Sequence, residues 1–204
     1  MRQGAPELWR RRTGAGNLVT VVFLGLASLF VSGCGHEDEH DGHTSDAPFD
    51  QQFIDMMTPH HEGAVMMAQT AQTRAEHAEL KTMADDIISA QNQEIAELKA
   101  WRKQWYGSDQ TPPVSEMPML PGMAHDSTMD MVQMNEDLKT ANPFDKAFID
   151  AMIPHHEMAI EAAEIAQQKA EHAEIKQMAD AIVGAQQTEI DQMKAWRTEW
   201  YPGQ

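Results

Sequence analysis

Apolar side chains recur at three- and four-residue steps along residues 49–106, which is the spacing of helices with one buried face. A first stripe consists of Phe53, Met57, His60, Ala64, Met67, Ala68 and Ala71. A second stripe consists of Leu80, Met83, Ala84, Ile87, Gln91, Ile95, Leu98, Trp101 and Trp105. A break near residues 74–76 separates the stripes, so the pattern predicts a hairpin of two helices. We expect Asp50 to be the N-cap of the first helix and Gly107 to end the second.

The same pattern occurs a second time further along the chain. Residues 144–201 align with residues 49–106 without a gap, and about 34 of the 58 aligned positions are identical. A single helical hairpin cannot bury its apolar face alone, whereas two hairpins can cover each other in a four-helix bundle. The repeat therefore predicts an all-α bundle built from residues 49–106 and 144–204. The connector, residues 107–143, is rich in Pro and Gly and is not expected to be regular throughout.

The N-terminal segment is predicted to be a targeting signal. Residues 1–33 combine a basic start with the short apolar run "LVTVVFLGLASLF", which is typical of a signal peptide. The stretch "LFVSGC" resembles a bacterial lipobox, and it ends at Cys34, the single cysteine. We therefore expect a lipoprotein anchored to a membrane through Cys34. An ordinary signal peptide or an uncleaved anchor is the alternative. Residues 34–48 are polar and acidic and read as a flexible tether.

The charge of the chain restricts its partners. The formal net charge is −17 at pH 7, which argues against a nucleic-acid partner because such a partner requires a basic face. An acidic surface is compatible with attraction of cations.

Two Pro-His-His motifs carry the candidate chemistry. They occur in "MMTPHHEGAVMMA" and "AMIPHHEMAIEAA", and a methionine precedes each histidine pair by one helical turn. A helical wheel places the first histidine of each pair on the apolar face. The histidine pairs could serve packing, acid/base catalysis or metal binding. If the chain had one lone buried histidine, packing would be the favoured role. Two such pairs, each with its methionine, favour metal binding in one shared site or two separate ones. The predicted ligands are Met57, His60, His61, Met152, His155 and His156.

The donor types favour one group of metals. Thioether sulfur selects Cu(I), and imidazole suits copper in either oxidation state. The pattern therefore predicts copper, with Cu(I) favoured and silver as a mimic. Polar residues at otherwise apolar positions of the second helices could orient the imidazoles by hydrogen bonds, although they could equally be a polar flank. These residues are Gln91, Glu94, Gln186 and Glu189.

Two further segments could supply ligands. Clustered methionines in a loop are poor core residues and good soft-metal donors; capping of the bundle, or contact with a partner, is the alternative. The connector contains Met117, Met119, Met123, His125, Met129, Met131 and Met134. The tether contains His36, His40 and His43, a weaker signal for Cu(II) or zinc.

Both repeats resemble the domain of unknown function family 305. The resemblance rests on "FDQQFIDMMTPHHEGAVMMAQTA" and "FDKAFIDAMIPHHEMAIEAAEIA", each followed by the pattern "ADxIxxAQxxEIxxxKAWRxxWY". It implies a ferritin-like helical fold in tandem copy and an exported protein associated with copper binding and copper resistance. It also implies a ligand role for Met67, whose equivalent in the second repeat is Ala162. The second site is therefore expected to be weaker, differently completed or lost.

The leading hypothesis is an exported, lipid-anchored protein that binds copper for buffering, tolerance or transfer, with a copper-delivery protein as a possible partner. A ferritin-like oxidase or peroxidase is one alternative, but that chemistry usually uses Glu-x-x-His motifs, which neither repeat contains. A structural or adaptor lipoprotein without metal is the other. The sequence favours a binding protein over an enzyme and leaves the oligomeric state open.

Overall fold

The computed structural model describes residues 46–124 and 130–203. The predicted leader and tether, with Cys34, His36, His40 and His43, lie outside these residues, as do His125 and Met129 of the connector. Within the described ranges no helix combines the length and apolar character needed to cross a membrane. Those ranges contain one 3-10 turn, Val114–Glu116, and five α-helices: α1 Phe49–Arg74, α2 Ala78–Tyr106, α3 Met131–Thr140, α4 Phe144–Lys169 and α5 Ala173–Trp200.

The four long helices form the predicted all-α bundle of two tandem hairpins, α1–α2 and α4–α5. Two apolar clusters fill its interior. The first joins the start of α1, at Phe53 and Met57, to the later half of α4 and the start of α5. The second joins the later half of α1 to the start of α4, at Phe148 and Met152. This arrangement makes α1 and α4 antiparallel neighbours. Burial of each large apolar side chain stabilises the fold by roughly 1.5–3 kcal/mol.

The two repeats cap each other's second helix. Asp50 is 2 % exposed, and its carboxylate accepts hydrogen bonds from the backbone N–H groups of Glu171 (3.0 Å) and His172 (2.8 Å) at the start of α5. The prediction that Asp50 caps its own helix is wrong, because Pro48 is the N-cap of α1 and makes no side-chain capping bond. The carboxylate instead serves the backbone N–H groups of the two residues just before α5, in the other repeat.

Asp145 repeats this arrangement at the other end of the bundle. Its carboxylate accepts from the backbone N–H groups of Glu76 (3.0 Å) and His77 (2.9 Å), just before α2. Each capped histidine also lies 2.6–2.7 Å from the aspartate through its Nδ1 and stacks on a tryptophan of the other repeat, with ring centroids 3.7 Å apart. The stacking pairs are His77 with Trp200, and His172 with Trp105. These contacts lock one hairpin onto the other.

The connector contains a helix that the sequence analysis did not predict. Helix α3 begins after Asp130, whose side chain accepts a hydrogen bond from the backbone N–H of Gln133 at 2.9 Å. Met131 at its start is 1 % exposed and packs against α1 at Gly63. A Cβ atom at position 63 would lie 2.6 Å from the Met131 sulfur. The glycine therefore permits the close approach of α3.

Candidate metal centre

The two Pro-His-His motifs meet in the middle of the bundle. Pro59 and Pro154 lie inside α1 and α4, which continue past them. The histidines that follow are fully buried, with an exposed fraction of 0 % for each of His60, His61, His155 and His156. These four side chains are called the histidine layer below. The layer lies between the two apolar clusters, where α1 and α4 cross.

The inner pair of the histidine layer comes from different repeats. The rings of His60 and His155 have centroids only 3.8 Å apart. Nε2 of His60 lies 3.1 Å from the backbone carbonyl oxygen of His155. A carbonyl oxygen can only accept, so this nitrogen donates and carries the ring proton. In a neutral imidazole, Nδ1 of His60 then retains the lone pair that a metal ion requires.

The outer pair reaches toward the second helices. The ring centroid of His61 lies 5.9 Å from that of His60, and the ring centroid of His156 lies 6.0 Å from that of His155. Nε2 of His156 donates to Glu189 Oε2 at 2.7 Å. Nε2 of His61 lies 2.9 Å from Glu94 Oε2, close enough for an ion pair, yet without hydrogen-bond alignment. Neighbouring side chains therefore connect Glu94 to Glu189 in the order His61, His60, His155 and His156.

Most nitrogens of the histidine layer have no hydrogen-bond partner. Six of the eight ring nitrogens are buried and unpartnered, although a buried polar group without a partner normally costs about 1–3 kcal/mol. Burial, followed by the neighbouring imidazoles, holds the pKa of His60 and of His155 well below the usual value of 6.5. Both inner rings are therefore neutral near pH 7, which is the form that binds a metal ion.

The methionines predicted as ligands are buried on both sides of the histidine layer. Met57 and Met152 are 0 % exposed and belong to the first and second apolar clusters respectively. Met67 is also 0 % exposed, and it lies with Met152 in the second cluster. The second cluster therefore contains two of the three thioether ligands predicted within the repeats. The Ala162 equivalent of Met67 lies in the first cluster, where Met57 is the predicted ligand.

The connector methionines are divided between different environments. Met131 is a core residue, whereas Met119 is 40 % exposed. Met117 and Met123 pack against the first cluster, and Met134 packs against the second. Four of the five connector methionines in the described ranges therefore pack against the bundle, three on the first cluster and one on the second.

The polar neighbours predicted to orient the imidazoles differ in their contacts. Glu94 and Glu189 reach the outer histidines as described above. Gln91 and Gln186 are each 3 % exposed, and the side-chain oxygen of each lacks a hydrogen-bond partner. Within residues 46–124 and 130–203, no group of three or more His, Cys, Asp and Glu side chains is arranged to hold a metal ion. A complete ligand set formed by these described residues around the histidine layer would therefore include sulfur, amide or solvent donors.

Comparison with known proteins places the fold and the motifs in one family. The model of the domain of unknown function DUF305 matches residues 50–197. The chain belongs to the DUF305 family. The match includes both Pro-His-His motifs and the intervening connector, so the resemblance noted in the two repeats is confirmed. A search of curated proteins found no match.

Solved structures of DUF305 proteins have the same fold. The chain is 42 % identical to CopM in its Cu(II)-bound form, covering 74 % of this chain and 97 % of that one with a TM-score of 0.63. CopM in its Cu(I)-bound form gives 41 % identity over the same shares with a TM-score of 0.61. A DUF305 protein of Streptomyces coelicolor described as secreted is 26 % identical, covering 72 % of this chain and 88 % of that one, with a TM-score of 0.59.

Proposed function

We propose that this DUF305 protein is an exported, lipid-anchored copper-binding protein that buffers or transfers copper, with Cu(I) as the favoured form. The observation that carries the proposal is the buried histidine layer with its six unpartnered ring nitrogens. A protein interior rarely leaves so many donors without partners, and a bound ion would supply them. The 42 % identity to a protein crystallised with Cu(II), and 41 % in its Cu(I) form, supports the choice of metal.

The residues divide the binding task by donor type. His60 and His155 would offer neutral ring nitrogens at the centre, while Met57 and Met152 would add soft sulfur donors, which favour Cu(I) over zinc or iron. Met67 would strengthen the sulfur set in the second cluster only. Glu189 would hold the His156 ring in position by accepting from its N–H group, and Glu94, whose carboxylate lies 2.9 Å from Nε2 of His61, would position the other outer ring. The apolar clusters on both sides would keep bulk water away from the ion.

Export and lipid anchoring rest on the leader sequence and Cys34. A signal peptide with a lipobox predicts release of residues 1–33 and attachment of the new N-terminus to a membrane. Binding outside the cytoplasm fits a role in buffering copper or transferring it to another protein. Mass spectrometry of the protein from a bacterial membrane would detect the lipid on Cys34. An unmodified chain beginning at Met1 would contradict the anchor.

Replacement of the sulfur donors tests the metal site with little disturbance of the core. The M57L/M152L variant keeps side-chain volume, which usually costs less than about 1.5 kcal/mol, but removes two thioethers. We expect its Cu(I) affinity, measured by competition with a chromogenic Cu(I) chelator, to fall at least tenfold. M193L is the matched control, because Met193 is equally buried and the first repeat has Leu98 at that position.

Replacement of the histidines tests the nitrogen donors. The H60Q/H155Q variant should lose most Cu(I) binding, and far-ultraviolet circular dichroism checks that the bundle remains folded. Unchanged affinity in both variants would refute the proposed site and leave only the connector methionines to bind Cu(I). Oxygen consumption by the copper-loaded protein tests the oxidase alternative.

A further inference from the structure

Two surface pockets lie beside the ends of the histidine layer, both between α2 and α5. The first has a volume of about 390 Å³ and includes Glu94, Glu97 and Glu174 in its wall. The second has a volume of about 320 Å³ and includes Glu79, Asp86 and Glu189. Each pocket thus contains three acidic residues. Among the described residues, no lysine or arginine lines either pocket.

The two pockets are equivalent under the repeat, but their charges are placed differently. Position 97 is Glu in the first repeat, whereas its equivalent, Gln192, lines the second pocket. Asp86 of the second pocket corresponds to Ala181 in the first. Glu97 is thus the acidic residue that only the first pocket has, and Asp86 is the one that only the second has. Each pocket therefore has the same formal charge of −3.

Each pocket is joined to the histidine layer by one glutamate. Glu94 is 20 % exposed and Glu189 is 19 % exposed, so each carboxylate lies between the pocket and the core. Nε2 of His61 is fully buried, has no hydrogen-bond partner and lies 2.9 Å from the Glu94 carboxylate. This nitrogen therefore lies directly behind the Glu94 carboxylate, which lines the first pocket. At the other end, His156 donates to Glu189 at 2.7 Å.

We propose that the two acidic pockets are the access routes by which cations reach the histidine layer, with Glu94 and Glu189 as the transfer ligands. A concave site of one charge sign concentrates counter-ions and raises their association rate. A hydrated cation would exchange water for carboxylate oxygen in the pocket. It would then exchange carboxylate for imidazole nitrogen at His61 or His156, while a proton on the ring nitrogen passes to the glutamate that releases the cation. Softer nitrogen and sulfur donors hold a soft cation more tightly than oxygen does, so transfer runs inward.

This inference rests on the proposed function, since it requires a cation-binding core. It adds that loading is electrostatically assisted through two defined routes. Acidic residues that line a pocket without contacting a histidine should then affect the rate of loading without affecting the affinity. Glu97 and Gln192 are such positions, since Glu97 contacts Gln93 at 3.0 Å.

Stopped-flow mixing with Ag⁺ in chloride-free buffer provides the test, and Trp101 and Trp196 in the pocket walls serve as fluorescent reporters. We expect E97Q to slow loading about three- to tenfold at low ionic strength and Q192E to accelerate it. Both effects should largely vanish in 1 M sodium nitrate, where the screening length is about 3 Å. E94Q should slow loading at least as much as E97Q, because it removes the transfer ligand.

Two charge-matched controls separate a local effect from a change in net charge. E164Q removes an exposed glutamate of α4 outside the pockets, and Q104E adds a charge at an exposed position of α2 whose equivalent is Glu199. Both controls should load at the wild-type rate. Equilibrium Ag⁺ affinity should change less than about twofold in E97Q, Q192E and the controls. The proposed access routes would be overturned if E97Q loaded as fast as E164Q, or if E94Q loaded as fast as the wild type. Either result would leave the proposed metal-binding function untouched. Absence of Ag⁺ binding by the wild type would instead refute the proposed function.

Discussion

The cross-repeat caps make a quantitative prediction about stability. Replacing Asp50 with Ala removes a carboxylate that is 2 % exposed and accepts from two backbone N–H groups and from the His172 ring. Hydrogen bonds to a charged acceptor contribute about 1.5–3 kcal/mol each, and loss of one partner leaves the donors buried and unsatisfied. Because water can reach the half-buried His172 ring, we count mainly the two backbone bonds. We expect D50A to lower the free energy of unfolding by about 3 kcal/mol.

The second repeat provides an internal replicate of this experiment. Asp145 makes the same set of contacts to Glu76 and His77, so D145A should cost about the same as D50A. The contacts of Asp50 and those of Asp145 share no residue, and the two costs should therefore add in the double variant. Urea unfolding followed by circular dichroism at 222 nm measures all three values.

A matched surface variant shows whether the effect is specific to these caps. Asp180 is exposed, and among the described residues its one hydrogen bond is to Gln167. D180A should therefore change the free energy of unfolding by less than about 0.5 kcal/mol. A cost for D50A as small as that of D180A would show that the carboxylate does not cap α5. The reasoning on the hairpin-to-hairpin contact would then be refuted.

Two other predictions concern the metal-free bundle. His60 and His155 have lower pKa values in the folded protein than in the unfolded chain, so below about pH 6.5 the unfolded state binds more protons. The free energy of unfolding should therefore fall by roughly 3 kcal/mol for each pH unit of acidification, counting both histidines. Urea unfolding between pH 7 and pH 5 should show this slope in the wild type and not in H60Q/H155Q. G184A places a methyl group in open space on α5 and should stabilise the protein by about 1 kcal/mol through helix propensity. G63A should give no such stabilisation, because its methyl group collides with Met131. Equal stabilisation by both variants would contradict the packing of α3.

The long helices and their buried faces could be predicted from the sequence, because a period of 3.6 residues is local information. The predicted break near residues 74–76 is found as residues 75–77, between α1 and α2. Helix α3 was not predicted, because the proline and glycine residues elsewhere in the connector indicated irregular structure and the helical spacing of α3 extends over only ten residues. Its signals were present, however, in Asp130 as N-cap and in the helical spacing of Met131, Met134 and Leu138.

The role of Asp50 illustrates why other features could not be predicted. An aspartate near the start of a helix normally caps that helix, and nothing local distinguishes Asp50 from such a residue. Its partners, Glu171 and His172, lie more than 120 positions away in the chain. Only the docking of the two hairpins brings them into contact. The acidic pockets depend on the same docking, since each combines residues of α2 and α5.

The sequence by itself determined that the chain has two helical repeats and that each places a histidine pair and a methionine on a buried face. It did so because periodicity and donor type are properties of neighbouring residues. Only the tertiary structure decided that the two pairs meet, with the inner rings 3.8 Å apart and a glutamate beside each outer ring. The reason is physical: the crossing of α1 and α4 buries both pairs between the same two apolar clusters, and this crossing is set by packing across the whole bundle.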